Sequence, residues 1–101
     1  MIILTATIQA SKGKEKELEK ALLYMVTETA KEERVLEYRF HKSTNNSGSF
    51  LFYEKYSDQE IFDAHANSPH FKSTVKKISD MLAAEPIMTT YEFIAGIPES
   101  N

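Results

Sequence analysis

Cysteine and tryptophan are both missing from this 101-residue sequence, and glycine and proline number only three each. Without cysteine there is no disulfide framework, no thiol nucleophile and no thiolate-bound zinc or iron–sulfur cluster. Gly13, Gly48 and Gly96 stand alone, so neither a phosphate-cradling loop nor a dinucleotide fingerprint can be assembled from them. No G-x-S-x-G elbow accompanies the many serines and threonines. Positive charge is also scarce. Twelve Lys and Arg face 15 Asp and Glu, for a net charge of −3, the opposite of a nucleic-acid-binding surface. The apolar start, Met1 to Leu4, is broken by Thr5 and Thr7, too short for a secretory leader and far short of the ~20 residues of a membrane span. The expectation is a cytoplasmic protein that engages neither nucleic acid nor membrane.

What is present is ordinary for a globular fold. Hydrophobic residues make up 42% and charged residues 27%, which suits one domain with one core. That domain is expected over 1–96, with a polar tail over 97–101. Ile2 to Ala10 is rich in β-branched residues and reads as a strand. From Lys14 the period changes: Leu18, Leu22, Met25 and Thr29 recur at helical spacing, flanked by Ala21 and Val26, with charges on the outer face. Val35 to Lys42 alternates, placing Leu36, Tyr38 and Phe40 on one side and Glu37, Arg39 and His41 on the other. Ser43 to Gly48 is a hairpin loop, and Ser49 to Tyr56 a third strand.

Ser57-Asp58-Gln59-Glu60 has the form of a capping box with Ser57 as the cap. The short helix it starts ends near Ala66. Ser68 and Pro69 open another, along which Phe71, Val75, Ile78 and Leu82 repeat until Pro86. Ile87 to Ala95 reads as a last strand. The order β-α-β-β-α-α-β is that of an α+β, ferredoxin-like split βαβ fold with an antiparallel sheet. Its helices cover one sheet face. Because apolar residues occur on both strand faces, a second copy of the chain is expected on the other, giving a homodimer.

Two residues stand out chemically. His65 shares a helical stripe with Ile61 and Phe62, so it points inward, where an imidazole tends to stay neutral and can act as a base. It could equally be a core histidine bonded to the backbone. Glu54 sits between Phe52 and Tyr56 on one strand face. A carboxylate there needs a partner such as Arg39 or a tyrosine hydroxyl, or else lines a wet cavity. Tyr38, Phe52, Tyr56, Phe62, Phe71 and Tyr91 are candidate walls for an aromatic ligand, though such rings also simply fill cores. His65 and His70 lie five apart across Pro69 and H-E-x-x-H is missing, so no metal site is expected. No cofactor motif is present.

The stretch Phe52-Tyr53-Glu54-Lys55-Tyr56, with Asp63-Ala64-His65 and Ser68-Pro69-His70-Phe71, resembles the signature of the antibiotic biosynthesis monooxygenase (ABM) family. The similarity runs from Ile2 to about Phe93. It implies a dimeric α+β barrel and a cofactor-independent monooxygenase that oxidises a quinol-like or polyketide-type aromatic with molecular oxygen. On that resemblance His65 would be the base, and Glu54 would orient it or bind a substrate hydroxyl. The family's Trp after the strand-three Glu is Tyr56 here, and the similar haem-degrading branch depends on a Trp that this chain lacks. Two alternatives remain. One is an isomerase of a small phosphorylated carbonyl compound, needing a phosphate clamp from Arg39 with Lys55 or His41. The other is a non-catalytic small-molecule binding module.

Overall fold

The structure, a computed structural model, describes residues 1–98. Its elements are β1 (Ile2–Gln9), α1 (Glu15–Thr29), β2 (Val35–Lys42), β3 (Ser49–Tyr56), α2 (Gln59–Ala66), α3 (Pro69–Ile78) and β4 (Ile87–Tyr91). The strands form one antiparallel sheet in the order β2-β3-β1-β4. This is the α+β, ferredoxin-like arrangement expected from the sequence. No helix among the described residues is long and apolar enough to cross a membrane.

Strand alternation decides what faces the helices. Pairing of Leu4 with Glu54, Ala6 with Phe52 and Ile8 with Phe50 sets one row of side chains across β1 and β3. The row continues into β2 through Tyr38 opposite Glu54 and Phe40 opposite Phe52. Leu18, Ala21 and Leu22 of α1 and Ile78 of α3 close over that face to make the core. Phe40 stacks on Phe52 and Phe50 at ring-centroid distances of 4.7 and 5.4 Å. The α1 stripe is the expected one, with Leu18, Ala21, Leu22, Met25 and Thr29 all buried. A turn through Gly13, at φ 89°, leads into α1. A side chain there would be strained by the backbone, whatever the room around it.

Several boundaries and faces differ from the sequence reading. The α2 cap is Asp58, whose carboxylate accepts from the Ile61 amide at 3.0 Å. Ser57 lies in the bend between β3 and α2 and caps nothing, so the reciprocal box with Glu60 does not form. Ser68 does cap α3, accepting from the Phe71 amide with Pro69 at the first helical position. That helix stops at Ile78, and Leu82 bridges to Ala10 beyond it. The strand β4 ends at Tyr91 rather than Ala95. Register between β2 and β3 slips between Val35 and Glu37. The intervening Leu36 is thereby thrown out of the Tyr38–Phe40 row and left half exposed. Of the tail expected over 97–101, residues 99–101 lie outside the described residues.

Candidate active site

Between the sheet and helices α1 and α3 lies a cavity of about 390 Å³. Its volume falls within the roughly 300–1,000 Å³ of small-molecule sites. Apolar and aromatic side chains wall it, among them Ile8, Leu22, Tyr38, Phe52, Phe71 and Met88, and Glu54 enters from β3. Val75, Glu85, Pro86 and Met88 line it and are also exposed to solvent. They mark the mouth, where α3 meets the start of β4.

Glu54 is 5% exposed. Its neighbours across the sheet are Leu4 and Tyr38. Its partner is the Tyr56 hydroxyl, which donates to Oε1 at 2.5 Å. Of the two sequence candidates for that role, the tyrosine fills it, because Arg39 projects from the opposite face and pairs with Glu37. Burial lifts the Glu54 carboxyl to about 7, against the opposing pull of the Tyr56 hydrogen bond. Burial, and then the charge of Glu54, also push the Tyr38 and Tyr56 hydroxyls far above their ordinary range. Both therefore remain hydrogen-bond donors at any working pH.

His65 is completely buried in the last turn of α2. Its ring packs edge-on against Tyr38 and Phe71 and tilted against Tyr56, with centroids 5.2–5.6 Å apart. It stands behind the cavity wall and is not among the residues lining the space. Nδ1 lies 2.9 Å from Glu32 Oε2, and Nε2 is buried without a partner. Burial lowers the imidazole pKa despite the opposing Glu32 carboxylate. The ring is thus neutral near pH 7. With its proton on Nδ1 facing the carboxylate, Nε2 keeps the lone pair.

The other sequence candidates separate into three groups. Tyr38, Phe52 and Phe71 line the cavity with Glu54. Tyr56 and Phe62 pack against each other 5.3 Å apart beneath it, and neither reaches the space. Tyr91 lies across from Ile3 on the opposite sheet face and is half exposed. Arg39 and Lys55, the proposed phosphate clamp, also lie on that face, both paired with Glu37. The cavity itself is lined by two carboxylates and no cation.

Sequence reasoning missed Glu32 and the contact between His65 and His70. Helical spacing argues against that contact, but the Pro69 break folds α3 back so that the two rings lie 6.0 Å apart. Glu32 arrives from the turn after α1, which no local pattern connects to α2. His70 is only 14% exposed in its side chain and bonded to Glu32 at 2.7 Å.

The model of the family described as antibiotic biosynthesis monooxygenase matches residues 1–77. The chain belongs to that family. A crystal structure of an antibiotic biosynthesis monooxygenase superposes with a TM-score of 0.89 at 19% identity, over 94% of this chain and all of that one. At that identity the likeness shows the ABM fold alone. A Pseudomonas aeruginosa protein is 26% identical over 93% of this chain and 94% of its own, with a TM-score of 0.87. An uncharacterised Synechocystis protein is 24% identical over 90% of this chain, and this ABM chain spans 62% of that relative's length.

Proposed function

We propose that this ABM-family protein is a cofactor-independent monooxygenase acting on a quinol- or anthrone-like aromatic. The observation that carries the reading is a carboxyl held near pKa 7 in the wall of an apolar, aromatic-lined cavity. A general base works best when its pKa lies near the operating pH. Glu54 is therefore placed as the base, in preference to His65, because Glu54 reaches the cavity and His65 does not.

Molecular oxygen reacts sluggishly with closed-shell organics, and deprotonation removes that barrier. For an anthrone-type substrate, Glu54 takes a proton from the activated CH₂. The resulting enolate-like anion passes one electron to oxygen, and the radical pair collapses to a C–O bond. The O–O bond of the peroxide then breaks, the second hydrogen leaves the carbon, and water departs. The carbon has exchanged two hydrogens for one oxygen, and the other oxygen atom is in the water. The Tyr38 hydroxyl, kept protonated, donates to the developing oxyanion. The Tyr56 hydroxyl holds Glu54 Oε1, and Oε2 is left for the substrate proton. His65 holds the Tyr38 and Tyr56 rings from behind.

Oxygen uptake in chelator-treated buffer with a panel of anthrones and quinols tests this directly. Uptake above autoxidation that falls roughly 100-fold or more in Glu54→Gln is expected. Uptake indifferent to Glu54→Gln removes the assigned base. Tight binding of an aromatic without uptake makes the chain a binding module instead.

The same reading includes a homodimer. No described element covers the sheet face that carries Leu51, Ile87 and Tyr91, and Phe93, Ile94 and Ile97 follow β4 at 68–94% exposure. An apolar arm and the exposed Leu51, Ile87 and Tyr91 of the sheet face on one chain suit a second copy that exchanges both. Sedimentation as an 11.5 kDa species at micromolar concentration would exclude it.

A further inference from the structure

The Glu32 carboxylate joins two imidazoles brought from either side of the Pro69 break. A single oxygen, Oε2, lies 2.9 Å from His65 Nδ1 and 2.7 Å from His70 Nε2. Ser68 fixes where one of the protons sits. Its hydroxyl hydrogen is given to the His65 carbonyl at 2.6 Å, and its oxygen accepts from the Phe71 amide. Toward His70 Nε2, 3.1 Å away, that oxygen can only accept. His70 Nε2 therefore carries a hydrogen, shared between Ser68 and Glu32.

We propose that Glu32, His65 and His70 form a binding site for a divalent transition-metal ion of the zinc type. Two imidazole nitrogens and one carboxylate oxygen are the donor set of zinc sites with three protein ligands and one open position. Such nitrogen-rich sites favour zinc and its first-row neighbours over magnesium or calcium. The three donor atoms already lie within 4.8 Å of one another. A tetrahedron with bonds of about 2.0–2.1 Å has edges of roughly 3.3 Å. The carboxylate oxygen needs to withdraw by about half an ångström from each nitrogen and the two nitrogens to come to the same spacing from each other, and the ion enters where the two N–H hydrogens now sit.

The two ring protons need not leave the protein. Each imidazole can move its hydrogen to the other nitrogen, giving His65 Nδ1 and His70 Nε2 their lone pairs as ligands. His65 Nε2, now a buried acceptor without a partner, would become a donor. Glu32 and His70 remain 22% and 14% exposed in their side chains, so the site opens to solvent on the side away from His65, which is fully buried.

The test is a titration of chelator-stripped full-length protein with zinc chloride by calorimetry, and with cobalt chloride by visible absorption, near neutral pH. One ion per chain is expected, with tetrahedral cobalt bands. His70→Ala and Glu32→Gln should each weaken binding at least roughly tenfold. His41→Ala, at an exposed histidine on β2, should bind as wild type. Because His65 is in the core, the test rests on His70 and Glu32, and circular dichroism checks that both variants fold. Zinc should also raise the melting temperature of the wild type but not of His70→Ala. Absence of saturable one-to-one binding overturns the site, as does wild-type affinity in His70→Ala and Glu32→Gln or loss of binding in His41→Ala. No substrate enters the measurement, so its outcome is separate from that of the oxygen-uptake experiment.

Discussion

The Tyr56 hydroxyl donates to Glu54 across 2.5 Å, from two positions further along the same face of β3. Both side chains are buried, at 0% and 5% exposure. One oxygen of the carboxyl is thereby held by the strand's own next inward residue, and the carboxyl is kept at the cavity wall.

This arrangement sets the pH dependence of the proposed reaction. The base must be ionised, so kcat/KM should rise with pH to a plateau, with an apparent midpoint near the Glu54 value of about 7. Measured rates that stay flat from pH 5 to 9 would separate Glu54 from the proton transfer. Glu54→Gln should leave only a residual, pH-independent rate.

Folding stability should respond to the same group in the opposite sense. A carboxyl whose pKa is raised from the ordinary 4.5 to about 7 in the native state binds its proton more tightly when folded. Its contribution is complete below about pH 4 and is lost as pH rises through 7, an effect on the order of 3 kcal/mol. His65, with its pKa lowered, contributes a slope of the other sign, so the comparison must be against Glu54→Gln at each pH. Urea unfolding of the two proteins should show the variant gaining relative to wild type between pH 5 and 8. A constant difference across that range would contradict the assignment.

The α2 cap offers a sharp local test. Asp58→Ala should cost about 1 kcal/mol, because the Ile61 amide loses its acceptor. Ser57→Ala should change stability by no more than a few tenths of a kcal/mol, since Ser57 caps nothing. Reversed costs would restore the Ser57 capping box.

Leu18 is fully buried in α1 and belongs to the core cluster. Leu18→Ala should destabilise by about 2–5 kcal/mol, lowering the melting temperature by about 4–8 °C for each kcal/mol. Val75→Phe, at the half-exposed cavity mouth, should instead leave the melting temperature within a few degrees and raise KM for a bulky aromatic. A variant that loses stability without any change in KM would place the entrance elsewhere.

Sequence alone determined the order of elements, the α1 stripe from Leu18 to Thr29, the Ser68 cap, the shared strand face of Phe52, Glu54 and Tyr56, and the inward direction of His65. These features depend on local periodicity and hydrogen bonding within a few residues, so they are written into the pattern itself. The same locality explains the errors. A one-residue slip between β2 and β3 exposed Leu36, and that slip depends on the neighbouring strand. Asp58 and Ser57 are both good caps, and the path of the chain out of β3 chose between them. Only the tertiary structure decided that Tyr56 satisfies Glu54, that Tyr91 stands on the far side of the sheet, and that His65 lies behind the cavity. Only it could bring Glu32, more than thirty residues away in sequence, onto the imidazoles of His65 and His70. Periodicity says which way a side chain points from its own element; which atoms it meets there depends on how separate elements pack.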